Sequence, residues 1–256
     1  MSGTLLEVSE LTRSFYGLKA IDSASFTVEP GKITGLIGPN GAGKTTMFNC
    51  ISGVIPAEAG RVTFDGEDVT KWRPEQISRR GLVRTFQIAR GFKQLTVFES
   101  LLLHGVDQVG EGVFPALFNS RAAKAREEEL AERAIAVAKR VKLDHVIDNM
   151  SGDLSGGQKK LLEIGRALMG APKLILLDEP VAGVNPTLGV EIAERIKALV
   201  AEDGLTFLIV EHDMDIISRL CDHIVVMANG TDLMEGTFEE VISSHAVQDA
   251  YLGKRT

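Results

Sequence analysis

The chain has 256 residues, 44% hydrophobic and 25% charged, which excludes a disordered polypeptide and suits one large domain or a core carrying an insertion. Its 28 basic and 35 acidic residues leave a net charge of −7, which argues against a protein whose main task is to grip nucleic acid. No apolar run approaches the roughly 18 residues needed to cross a bilayer, and residues 1–7 carry neither a basic segment nor a long apolar one, so no secretory signal is expected and the chain is read as cytosolic or held at a membrane by a partner.

Taken in chain order, short apolar runs at 33–37, 62–64, 174–177, 206–210 and 223–228 predict strands. Runs that do not alternate with polar residues are buried on both faces, as in a parallel sheet. Helical patterns occupy 43–51, 121–140, 155–169, 188–202 and 213–220. This succession of strands and helices predicts an α/β architecture. From 87 to 153 the strong signals are helical only, with an interruption rich in Gly, Phe and Pro at 105–119. The expected organisation is therefore a core of about 1–87 and 154–240, an inserted helical subdomain of about 88–153, and a tail at 241–256. Cys50 and Cys221 have no CxxC or ligand spacing and read as reduced thiols.

Glycine, at 26 residues, exceeds the usual share of about 7% and is clustered, which marks places where a backbone turns or approaches a ligand. Gly38-Pro39-Asn40-Gly41-Ala42-Gly43-Lys44-Thr45 fits G-x-x-x-x-G-K-[ST] between a predicted strand and a predicted helix. Backbone N–H groups in such a loop turn onto phosphate oxygens, and the helix N-terminus adds its positive end. Gly38, Asn40, Gly41, Ala42, Gly43, Lys44, Thr45 and Thr46 are thus the candidate nucleotide-binding residues. Lys44 would reach the outer phosphates, and the Thr45 hydroxyl would ligate Mg²⁺.

The run at 174–177 ends in Asp178 and Glu179. Ligands in open α/β sheets sit beyond the carboxyl ends of strands, so both acids are expected at the phosphate site. Asp178 is the candidate for the Mg²⁺ shell. Glu179 is the candidate for orienting or deprotonating an attacking water. Further on, Leu154-Ser155-Gly156-Gly157-Gln158 precedes a helix whose apolar positions Leu161, Ile164 and Leu168 are expected on one face. Ser155 at a helix start is ordinarily an N-cap, yet Ser-Gly-Gly at a positive helix end also suits a phosphate.

In this order, cradle, Leu154–Gln158 segment and acidic strand end resemble the motifs of ABC-type ATPases, and the resemblance covers residues 5 to 253. It implies a P-loop NTPase (RecA-like) core with a parallel sheet, an antiparallel β subdomain and the inserted helical subdomain. It also implies ATP and Mg²⁺ as ligands, with Ser155, Gly156, Gly157 and Gln158 binding the nucleotide held by a second subunit. Gln87 matches the glutamine that contacts Mg²⁺ and the attacking water. His212 matches the switch histidine that reads the γ-phosphate. Phe15, or Tyr16 beside it, matches the aromatic that stacks on adenine.

One segment departs from the family pattern: Val181-Ala182-Gly183-Val184-Asn185-Pro186 stands where most relatives carry Ser-Ala-Leu-Asp, so Asn185 keeps hydrogen bonding but not charge. That form, the segment 81–87, the insertion 105–119 and the tail 247–253 resemble the ATP-binding subunits of branched-chain (hydrophobic) amino-acid importers. The resemblance implies two transmembrane permease subunits, a second ATP-binding subunit (the same chain or a relative) and an extracytoplasmic substrate-binding protein as partners, with the chain peripheral on the inner face of the membrane. A motor of the same design for urea or a lipid, and a soluble ABC ATPase of DNA repair or the ribosome, are the alternatives. A groove of about 88–98 is where the family docks a permease helix, and Phe92, Leu95, Val97 and Phe98 would line it unless they close the subdomain's own core.

Overall fold

Residues 3–85, 93–105 and 121–252 are described in the computed structural model. The chain divides into two compact units, Met1–Arg84 with Lys173–Thr256, and Thr85–Pro172. The first unit opens with β1 (Leu6–Phe15), β2 (Leu18–Val28), β3 (Ile33–Ile37), α1 (Lys44–Ile51), β4 (Ala59–Phe64), β5 (Glu67–Asp68), α2 (Pro74–Arg80) and β6 (Leu82–Arg84). The second holds α3 (Val97–Leu102), α4 (Arg121–Arg140) and α5 (Gly156–Met169). The chain then returns to the first unit through β7 (Leu174–Asp178), α6 (Pro186–Asp203), β8 (Thr206–Val210), α7 (Met214–Leu220), β9 (His223–Ala228), β10 (Thr231–Gly236), α8 (Phe238–Ser243) and α9 (His245–Leu252).

The first unit contains two sheets. One has six strands in the order β10-β9-β3-β8-β7-β6, parallel except for the terminal β10. β3 and β8 are buried at every position, as non-alternating apolar runs in the middle of a parallel sheet must be. The other is antiparallel, in the order β2-β1-β4-β5. An apolar cluster joins Phe48, Met47 and Ile51 of α1 to Leu6, Leu11, Ile21 and Phe64 of the antiparallel sheet and Leu36, Leu176 and Leu208 of the parallel one. Burial of these side chains, about 1.5–3 kcal/mol for each large one, holds the loop before α1 between the sheets. A smaller cluster of Ile37, Ile217, Ile224, Val226 and Val241 packs α7 and α8 on the sheet. The parallel core and the antiparallel subdomain are those expected.

β1 and β2 escape a reading by periodicity, because register shifts between Val8, Leu11 and Arg13 break the alternation, and Glu10 and Ser23 take left-handed backbone. The region of 241–256 is helical as far as Leu252 in α8 and α9.

The second unit extends to Pro172 and so takes in α5, which the sequence boundary near 153 places with the core. The reason lies in how α5 packs. A Cβ placed at Gly165 would lie 3.1 Å from Leu101 of α3 and 3.3 Å from Val141 just after α4, so the helices approach closely there. On α5 it is Leu162, not Leu161, that is buried with Ile164 and Leu168. Val97 is fully buried at the first turn of α3 and belongs to the subdomain's interior, while Leu95 and Phe98 are half-buried. Gln87 and Phe92 lie outside the described residues, as does most of the 105–119 interruption.

Candidate nucleotide site

Strand register sets the floor of the site. β3 and β8 align Leu36 with Val210, and β7 and β8 align Asp178 with Val210. The loops leaving these strands therefore begin at one level, where Gly38, Glu179 and Glu211 with His212 follow. The Glu179 N–H donates to Val210 O at 2.9 Å, extending the ladder by one bond.

The loop after β3 depends on two glycines. Gly38 has φ 145°, and a Cβ there would come within 2.0 Å of the Met227 carbonyl oxygen; at Gly43, with φ 103°, it would come within 2.3 Å of the Ala20 oxygen. Only glycine permits that backbone and that approach. Gly43 leads into α1, whose first turn has no side-chain cap and no acidic residue, so its N–H groups keep their positive end for an anion. Lys44 is 6% exposed and donates to Gly38 O at 2.7 Å and Pro39 O at 3.0 Å. Burial pushes its ammonium below the usual lysine range, offset in part by the carboxylates of Glu179 and Asp178. The pocket in front of the loop has a volume of about 280 Å³ and is walled by Asn40, Gly41, Ala42, Gly43, Lys44, Thr45 and Thr46 together with Ala20, Glu179, Val210 and His212.

Glu179 and His212 meet in this wall, His212 Nε2 lying 3.1 Å from Glu179 Oε1. Glu179 has φ 50°, left-handed backbone that costs a non-glycine residue about 1–3 kcal/mol and persists where its surroundings hold it. Asp178 does not line the pocket. Its Oδ2 accepts from Arg84 Nη2 at 3.1 Å, while Arg84 Nη1 donates to Asn49 Oδ1 at 2.5 Å and the guanidinium lies over the Phe48 ring. Nothing in the local sequence pattern marks Arg84 or Glu211. Glu211, 5% exposed, accepts backbone N–H bonds from Val181, His212 and Asp213.

The other candidates stand as follows. Phe15 is half-buried at the end of β1 with the Arg13 guanidinium 4.9 Å above its ring, whereas Tyr16 is fully exposed at the hairpin turn. Ser155 is the N-cap of α5. Its Oγ accepts from the Gln158 N–H at 3.3 Å, and Gln158 Oε1 accepts from the Ser155 N–H at 2.9 Å, a capping box. Ser155 and Gly156 are exposed, and Gly157 is buried. Asn185 caps α6, its Oδ1 accepting from the Leu188 N–H at 2.9 Å, a bond that needs no charge.

No group of three or more His, Cys, Asp or Glu that would hold a metal comes together among the described residues. Of the residues assigned to Mg²⁺, Thr45 lines the pocket and offers a hard oxygen donor, while the Asp178 carboxylate is engaged by Arg84.

A strand, a glycine loop and an uncapped helix start, facing a glutamate–histidine pair at neighbouring strand ends, define a P-loop nucleotide-binding protein. The chain belongs to the ABC transporter family, whose profile matches residues 21–182. It is 45% identical over 249 residues, 97% of this chain and 95% of the relative, to a probable branched-chain amino acid transport ATP-binding protein of Archaeoglobus fulgidus. It is 39% identical over 254 residues, 99% of this chain and 100% of the relative, to the high-affinity branched-chain amino acid transport ATP-binding protein BraF of Pseudomonas aeruginosa. A crystal structure of the ADP conformation of an ATP-binding cassette of an ABC transporter superposes with a TM-score of 0.87 at 41% identity, covering 99% of this chain and 100% of that one.

Proposed function

We propose that the chain is the ATP-binding, ATP-hydrolysing motor subunit of an importer for branched-chain or other hydrophobic amino acids. The observation that carries the ATPase reading is the shared wall of one pocket, where the phosphate cradle of Asn40–Thr46 faces Glu179 and His212. The names of relatives alike over nearly the whole chain support the substrate class.

In this reading the loop N–H groups and Lys44 bind the phosphates, and Phe15 or Tyr16 stacks on adenine. The Thr45 hydroxyl, the Asp178 carboxylate and Gln87 would hold Mg²⁺, which supplies charge neutralisation between the phosphates. Glu179 orients the attacking water and draws its proton, and His212, 3.1 Å from Glu179, faces the γ-phosphate. Ser155, Gly156, Gly157 and Gln158 serve the nucleotide of a second ATP-binding subunit, so that ATP favours the closed pair and hydrolysis reopens it. ATP acts as a ligand with different affinity for the two states. Two permease subunits convert that change into transport, with an extracytoplasmic binding protein delivering the amino acid, and the chain sits on the inner face of the membrane.

The test is ATP binding and hydrolysis by the purified chain with and without Mg²⁺. Mg²⁺-dependent turnover, with an ATP-bound dimer accumulating in Glu179→Gln, is expected. Unchanged turnover in that variant removes Glu179 from its role.

A further inference from the structure

The structure assigns to Glu211 the part of a positioning residue that locks the loop carrying Glu179 to the loop carrying His212; this rests on the ATPase reading above and adds a residue to it. Three geometric facts carry the assignment. Glu211 Oε1 accepts from the Val181 N–H at 3.1 Å, two residues beyond Glu179 on the loop leaving β7. Its Oε2 accepts from the N–H groups of His212 at 2.8 Å and Asp213 at 3.4 Å, on the loop leaving β8. The residue is 5% exposed, so these bonds are made out of competition with water.

A carboxylate suits this place because both of its oxygens only accept. Each oxygen serves one loop, and the side chain ties them together across 30 residues of sequence. The Glu179–His212 contact of 3.1 Å then lies between two loops fixed to a common point. A carboxamide has the same shape but a single acceptor, and its NH₂ would face an N–H donor. One of the two loops would lose its bond, and a buried donor would be left unmatched. Glu211 touches neither the cradle loop nor α1 in any of these bonds, so nucleotide binding there does not depend on it.

The experiment compares the full-length chain with Glu211→Gln, His212→Ala and the double variant, measuring single-turnover hydrolysis with Mg²⁺–ATP and equilibrium binding of ADP. Misplacing a catalytic pair by a fraction of an ångström to an ångström lowers turnover about tenfold to a hundredfold. That loss is expected in Glu211→Gln, with ADP affinity held within about twofold. In the His212→Ala background the same change should cost less than about twofold, since residues acting as a unit are not additive. Glu211→Asp keeps the charge but is one methylene short of serving both loops, and gives the same split between turnover and affinity should the glutamine variant fold poorly. Wild-type turnover in both Glu211 variants, a parallel loss of ADP affinity, or an equal loss with and without His212 overturns the assignment. A wild-type chain without ATPase activity overturns the ATPase reading itself and the assignment with it.

Discussion

His212 Nε2 lies 3.1 Å from Glu179 Oε1, although 33 positions separate the two residues in the chain. Their meeting follows from strand pairing: β7 and β8 are parallel neighbours in register at Asp178 and Val210, so the residues after each strand emerge side by side. The contact puts a carboxylate and an imidazole on the wall of the pocket that the glycine loop lines, the places the proposed ATPase needs for a water-orienting and a phosphate-sensing group.

Replacing either member should therefore separate catalysis from binding. Glu179→Gln and His212→Ala are expected to lower the hydrolysis rate by about 10²–10⁴-fold while nucleotide affinity stays near wild type. Phosphate release under single turnover and equilibrium nucleotide binding check this. A parallel fall of both quantities would place the pair in binding alone.

Lys44→Ala should do the opposite. The ammonium bridges two loop carbonyls, and in the proposed ATP-bound state its bonds would pass to phosphate. Losing a charge-assisted interaction of about 1.5–3 kcal/mol weakens affinity about tenfold to a hundredfold. Titration with ATP measures it, and tight binding by the variant would contradict the cradle.

The glycines of the loop are predicted to differ among themselves. Gly38→Ala forces a Cβ to within 2.0 Å of a backbone oxygen and should cost about 3 kcal/mol or more. Gly41→Ala meets nothing within 4 Å and carries only the left-handed strain at φ 82°, about 1–2 kcal/mol. Urea unfolding of the two variants ranks them, and equal losses would mean that the loop is not clamped as described.

How much of this is legible in the sequence depends on how local the cause is. Ile33–Ile37 and Thr206–Val210 announce themselves because both faces are buried, so the runs are mostly apolar and do not alternate with charged residues. The G-x-x-x-x-G-K-[ST] loop is equally visible, since its chemistry is written in adjacent residues. β1 and β2 are hidden by the bulges that break their alternation. Glu211 is hidden for a different reason: its burial and the Val181 N–H that joins those of His212 and Asp213 on its carboxylate come from another strand end, 30 residues away. Arg84 acquires meaning in the same way, from Asp178 at the end of the neighbouring strand. Asn185 caps α6, a task that asks for an acceptor and not a charge.

The two cysteines give a prediction in pH. Burial pushes the Cys50 thiol up to about 11 and the Cys221 thiol up to about 12, both from an ordinary value of 9.0. The folded chain then keeps protons that the unfolded chain releases, so their contribution to stability is complete below pH 9 and is lost as pH rises toward 11–12. Thiol alkylation at pH 8 should be slow in the native chain and fast at both positions in urea, and unfolding midpoints should fall between pH 9 and 11. Rapid native labelling would show that these thiols are not held as described.

In the proposed function this ATPase drives a membrane permease. The most direct measurement is to solubilise native membranes gently, purify the tagged chain and identify its companions by mass spectrometry. Two multi-span permease subunits with a second ATP-binding subunit are the predicted result. Ribosomal or DNA-repair proteins, with no permease among them, would contradict the transport reading and leave the ATPase without it.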